Sequence, residues 1–285
     1  MSTRNRWAGN RWLILRRLTQ AGILLLFLAG PWFGLWIVKG NLNFSYTLDL
    51  LPLTDPYVLL QSLLAGHLAE SKALLGALLV VALYIVVGGR TYCSWVCPLN
   101  PVTDLAAWLR RRLGIRGGAH LSRLTRFWLL AITLLLAVAT GTIAWELVNP
   151  VSLLHRGLIF GIGFTWAVVL AVFLFDLFVA SRGWCGHLCP AGAFYSLLGR
   201  VSLLRVAAYR RNACDDCNDC FAVCPEPQVI RVPLKDGTAS PVILSSQCTN
   251  CGRCIDICTK EVFAFGSRFI RTVPIHTGAI GTVPE

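Results

Sequence analysis

Four stretches of this chain are predominantly apolar: residues 18–38, 73–88, 127–145 and 158–180. A helix that crosses a bilayer needs about 20 such residues, with roughly 17–25 the usual range. The second stretch is short by itself, but the pattern continues as helix to Tyr92, so four membrane spans are predicted. The first is not read as a cleavable signal, because its apolar run is too long and no small-residue cleavage site follows "GPWFGLWIVKGN". Between the first two spans Asp55 precedes Pro56, a cap followed by proline at the first helical position. Residues 57–68 then read as a short amphipathic helix, too short to span and expected to lie along the outer interface. From about Val206 the helical periodicity stops, and cysteine, aspartate and proline take over. The chain thus divides into a basic leader (1–17), a four-helix membrane domain (18–205), a small polar domain (206–272) and a tail (273–285).

Composition agrees. Only 14% of the 285 residues are charged, against about a quarter in a soluble domain, and mean hydropathy is +0.63. The net charge of +12 does not indicate nucleic-acid binding, because its distribution is topological. Five arginines precede the first span, seven lie between the second and third, and five follow the fourth by residue 211; the two remaining loops hold Lys39 and Lys72, then Arg156. That bias places both termini and the polar domain in the cytoplasm of a multi-pass inner-membrane protein.

The twelve cysteines fall into four clusters, none inside a span. On the cytoplasmic side a disulfide framework is not expected, and regular spacing points to metal. "CDDCNDCFAVCP" is Cys214-x2-Cys217-x2-Cys220-x3-Cys224-Pro225, and "CTNCGRCIDICT" repeats it as Cys248, Cys251, Cys254 and Cys258, with Thr259 in place of the proline. This is the run of a bacterial two-cluster ferredoxin, whose fourth cysteine serves the other cluster. Cys214, Cys217, Cys220 and Cys258 are therefore assigned to one [4Fe–4S] cluster, and Cys248, Cys251, Cys254 and Cys224 to the other. A zinc ribbon would use two pairs rather than runs of four. The predicted fold is an α-helical polytopic membrane protein with a duplicated two-helix unit, joined to a small α+β two-cluster ferredoxin domain.

The remaining cysteines lie where apolar runs end, in "RTYCSWVCP" and again, 92 residues on, in "RGWCGHLCP". Residues four apart share a helix face, so Cys93 and Cys97, like Cys185 and Cys189, present both sulfurs together. Pro98 and Pro190 then end or kink the helix. Three readings stand: a redox dithiol, one soft-metal or cluster site built from both pairs, or buried thiols packing repeat against repeat. A parallel repeat about the membrane normal brings the two pairs face to face. Among ionisable groups, Asp176 lies within the fourth span, and His67, with Glu70, Glu146, Asn149 and His155, lies at the outer face. Asp176 and His67 are the candidate quinol-side residues, since quinol oxidation needs proton acceptors.

Taken with "GPWFG", "LPLTDP", "NPVSL" and "WCGHLCP", these runs resemble the NapH family, membrane components of quinol dehydrogenases that feed a periplasmic nitrate reductase. The resemblance implies ubiquinol or menaquinol as electron source, a periplasmic iron–sulfur partner of the NapG type and a membrane-anchored multihaem cytochrome. A methylamine-utilisation member of similar length shares the same core. The alternative is an accessory protein that binds or reduces a soft metal such as copper through the CxxxCP cysteines. With both ferredoxin clusters inside and the acceptor outside, the path of electrons across the membrane is the open question.

Overall fold

The computed structural model describes residues 9–115, 117–119, 121–161, 163–235 and 240–269. The predicted tail and residues 1–8 of the leader lie outside them. The first half of the helical domain starts with α1 (Arg11–Phe33), followed by an antiparallel three-stranded sheet of β1 (Val38–Gly40), β2 (Phe44–Thr47) and β3 (Leu51–Thr54). Helices α2 (Pro56–Leu64) and α3 (Ser71–Val87), a π-helical turn at Tyr92–Val96 and α4 (Asn100–Arg112) complete it. The second half comprises α5 (Thr125–Thr140), α6 (Ala144–Val148), α7 (Pro150–Phe160) and α8 (Gly163–Leu174), the last continuing as a π-helical turn to Val179. A second cysteine turn, Trp184–Leu188, and α9 (Pro190–Leu198) follow.

Among the described residues, α1 alone is long and apolar enough to cross a membrane by length and composition; 71–87, 125–140 and 165–179 are shorter apolar helices. The predicted run 158–180 is not one rod. Gly161, at φ 68°, ends α7 in the left-handed conformation that glycine tolerates, and α8 turns back along α7 so that Val151 packs near Val172.

The helix after Asp55 does not lie flat on the outer interface. The Tyr57 hydroxyl meets the Thr133 hydroxyl at 2.7 Å, halfway along α5, while Ala65 at the other end of α2 approaches Gly141 beyond the α5 terminus. Helix α2 therefore runs beside α5 from the interior outwards. The aromatic ring of Tyr57 is fully buried against Leu130, Trp145 and Ala193, and that burial draws the helix inward. Helix α7 is its counterpart in the second half. Each starts with a capping side chain and a proline: Asp55 accepts from Tyr57 N at 2.8 Å, and Asn149 accepts from Val151 N at 3.1 Å.

The cysteine-rich domain is built on β4 (Leu204–Ala208) paired antiparallel with β5 (Phe263–Ser267), with helices α10 (Asp219–Val223), α11 (Gln228–Lys235) and α12 (Arg253–Ile257) between them. Its core includes Val206, Val229, Ile230, Ile243 and Phe263. The domain is locked to the helices: Asp256 of α12 accepts from Trp12 N and Leu13 N, taking up free amides of the first turn of α1.

Candidate electron-transfer site

The two CxxxCP turns are π-helical, closed by Cys97 N to Tyr92 O at 3.0 Å and Cys189 N to Trp184 O at 2.9 Å. The wider i→i+5 closure leaves Cys97 and Cys189 in extended backbone just past the turn, rather than on a regular α-helical face. Helices α4 and α9 start immediately afterwards. Their first amides face the sulfurs at equivalent positions: those of Leu99 and Asn100 at Cys97, and those of Ala191 and Gly192 at Cys189. All four cysteines line one enclosed cavity, together with Asp55, Trp145, Asn149 and Pro150. The amino ends of α2, α4, α7 and α9 thus converge on the four thiols, and the partial positive charge at each favours an anionic occupant. Among the described residues no three of His, Cys, Asp and Glu close tightly enough to chelate a single ion.

Cys224 joins Cys248, Cys251 and Cys254 around a second cavity, under Val206, Ile230 and Ile243. Cys214, Cys217 and Cys258 are the cysteines within electrostatic reach of Cys220. Asp216 and Asn218 in one loop, and Asn250 and Gly252 in the other, have positive φ at matching positions, which wraps each loop tightly. Burial pushes the Cys220 and Cys248 thiols up to about 11. Cys251 moves the other way: although burial opposes it, Arg253 and Arg16 lower it.

The two cavities adjoin. Cys93 and Cys185 share a lining with Pro225, Thr249 and Arg253. Ser94 donates to Thr249 O at 2.7 Å and Trp95 Nε1 to Asn250 O at 3.0 Å. Arg90 reaches Glu226 at 2.8 Å, Gln247 O at 3.0 Å and Cys185 O at 3.1 Å. Two carboxylates organise this junction. Asp104 is ringed by Arg17, Arg253 at 2.6 Å, Arg182 at 3.1 Å and Arg16 at 3.9 Å. Glu226 has Arg90 at 2.8 Å, Arg123 at 2.9 Å and Arg126 at 3.5 Å. Against a desolvation that would raise them, these guanidiniums hold Asp104 and Glu226 down at about 2.

Of the remaining sequence candidates, Asp176 is fully buried and accepts from Trp184 N at 2.9 Å, pinning the second cysteine turn. His67 is exposed at the far end of α2 and lines none of these cavities. Asn149, read as an outer-face residue, is at the cysteine cavity. Asp55, read only as a cap, is there too, accepting from Tyr57 N at 2.8 Å. The signal for both was an Asp-Pro and an Asn-Pro placed 38 and 36 residues before Cys93 and Cys185.

Comparison with known proteins bears on the same segments. A 4Fe-4S binding domain model matches twice, over residues 73–116 and 162–208, and a 4Fe-4S dicluster domain model matches 213–262. The ferredoxin-type protein NapH of Escherichia coli is 49% identical over 263 residues, 92% of each chain. NapH of Haemophilus influenzae is 51% identical over 266 residues, again 92% of each. The methylamine utilization ferredoxin-type protein MauN of Paracoccus denitrificans is 55% identical over 268 residues, 94% of each. No solved structure matches the chain.

Proposed function

The chain belongs to the family of ferredoxin-type iron–sulfur proteins that includes NapH and MauN, and on that premise we propose that it carries electrons between the quinol pool and a respiratory enzyme outside the inner membrane. The observation that carries the reading is the succession of three four-thiol groups. The Cys214 group leads to the Cys224 group, which adjoins the CxxxCP group. We assign a [4Fe–4S] cluster to each. At the CxxxCP group the fit rests on four sulfurs around one cavity, two of them facing helix-terminal amides. When bound, such a cluster supplies one-electron transfer.

The basic loops support a cytoplasmic ferredoxin domain, and α2 and α7 lead away from the CxxxCP cavity. The CxxxCP centre then stands between the cytoplasmic clusters and the outer side, which gives electrons a way across. For the quinol we favour a cavity of about 430 Å³ at the inner membrane edge over the outer-face residues. Leu13, Leu105 and Trp108 form its apolar mouth, Val223 and Ile257 adjoin cluster cysteines, and Arg16, Arg17, Arg111, Arg182 and Arg253 line it. A quinol releases two electrons and two protons. Two one-electron clusters take up the pair, and the protons pass to water at the open side.

A periplasmic iron–sulfur protein and a membrane multihaem cytochrome are the proposed partners towards nitrate reductase. The MauN relatives, at 55% and 56% identity against 49% and 51% for NapH, favour a second destination, a methylamine-utilisation system served by the same electron chemistry. Anaerobic purification with an iron and sulfide count tests the assignment. About twelve irons per chain are expected, falling by about four when Cys93 and Cys185 become serine. About eight irons would remove the third cluster, and copper(I) held by those four cysteines would support the metal-handling alternative. Mixing the oxidised protein with a short-chain quinol under nitrogen should then reduce the clusters; no reduction would sink the quinol assignment.

A further inference from the structure

Two arginines lack what a buried cation ordinarily has. Arg16 and Arg126 are both 0% exposed. Among the described residues Nε, Nη1 and Nη2 of Arg16 have no hydrogen-bond partner, nor do Nε and Nη2 of Arg126. Their nearest carboxylates stand at 3.9 Å and 3.5 Å and are already held by closer arginines. At the junction seven guanidiniums surround two carboxylates. A buried charge persists only with a compensating one, so the fold requires further negative charge here. Arg16 and Arg253 act on Cys251, and Arg90 and Arg126 lie within electrostatic reach of Cys93. The outermost thiol group has more acidic and more open surroundings, with Asp215, Asp216 and Asp219 exposed beside an exposed Cys217 and one cation, Lys235, paired to Asp216 at 2.5 Å.

We propose that Arg16 and Arg126 are electrostatic positioning residues that stabilise the reduced state of the two facing centres, the Cys224/248/251/254 cluster and the CxxxCP centre. An electron on the chain then rests at the junction, and the Cys214/217/220/258 cluster is the hardest of the three to reduce. The proposal rests on the cluster assignments above, and the carboxylates set its balance: removing a negative charge from either hub favours the reduced state further.

The test is a redox titration of the purified full-length protein, followed by electron paramagnetic resonance with an iron count on every sample. In Arg16→Leu, at a fixed potential near the midpoint, the reduced-to-oxidised ratio of the inner ferredoxin cluster should fall by roughly tenfold, the effect of one partly screened buried charge. The outer cluster should be unmoved, and Arg16→Lys should restore most of the loss. Asp104→Asn should shift the same cluster in the opposite direction, which keeps the test open if Arg16→Leu fails to assemble. Equal shifts at both ferredoxin clusters, or none in either variant at full iron content, would overturn the proposal. An iron count of about eight would instead fail the CxxxCP assignment, leaving the Arg16 arm readable by itself.

Discussion

The two halves of the helical domain solve one problem identically and another differently. Facing the thiols they match: an arginine three residues before the first cysteine, a π-helical turn, a sulfur met by the amides of a new helix, and a half-helix arriving from the far side behind a capped proline. Facing the cysteine-rich domain they part. In the first half Arg90, Ser94 and Trp95 all grip the 247–250 loop or Glu226. In the second, Arg182 turns to Asp104 of the first half, and Gly186 and His187 stand where Ser94 and Trp95 would be. The proposed centre, held by both halves, needs equal ligands from each. Docking a single asymmetric domain does not, so the outward residues were free to diverge.

The sharpest way to break this comparison is at the sulfurs. Cys97→Ser and Cys189→Ser should each remove the same centre and about four irons; loss from one variant only would mean that the halves do not share a site. The next effect is lopsided by design. Arg90→Met strips three contacts, one to a carboxylate that is 3% exposed, and should weaken domain docking by about 3 kcal/mol. Arg182→Met leaves Asp104 with Arg16, Arg17 and Arg253 and should cost about 1 kcal/mol. Urea titration of tryptic cleavage near residues 199–203 reads both, and equal costs would refute the asymmetry.

Hydropathy and cysteine spacing carried the helical bundle, the duplicated cysteine turns and the polar domain, because each leaves a local mark. The depth of α2 left none. Twelve apolar-rich residues after a capped proline look alike whether they lie on a surface or descend beside α5, and only the burial of Tyr57 against the second half decides. The α7–α8 hairpin was hidden for a related reason: an apolar run averaged over a window does not register a turn at Gly161. The arginine hubs were invisible because Asp104 and Glu226 sit far in sequence from the arginines they collect. Positive charge that reads as topology in a linear pattern serves as mortar at the domain junction.

Acid should separate the two hubs by a smaller margin. Asp104 and Glu226 fall to about 2 from ordinary values of 3.8 and 4.5. Depressed carboxylates stabilise the docked state fully above their unfolded values and cease to as pH drops through the folded ones. Each shift is worth about 2–3 kcal/mol. Glu226 starts from the higher value, so docking should begin to weaken below pH 4.5, and Glu226→Gln should flatten the profile between about pH 5 and 4. Asp104→Asn should leave that upper limb nearly unchanged. The same proteolysis assay, run as a pH series, distinguishes them.

The finest contrast is Trp95 against its counterpart His187. Trp95 donates Nε1 to Asn250 O at 3.0 Å and meets Trp12 edge-on at 6.1 Å, so it ties the first cysteine turn to both the inner-cluster loop and α1. Trp95→Phe keeps an aromatic ring there but leaves the Asn250 carbonyl without that donor, which should cost about 1 kcal/mol of docking. Among the described residues His187 has no hydrogen-bond partner at Nδ1, and His187→Phe should change docking by no more than about 0.5 kcal/mol. If both cost the same, the second turn grips the domain through contacts equivalent to the first, and the division of labour between the halves is lost. If only Trp95 matters, the duplicated unit kept its symmetry just where the thiols require it.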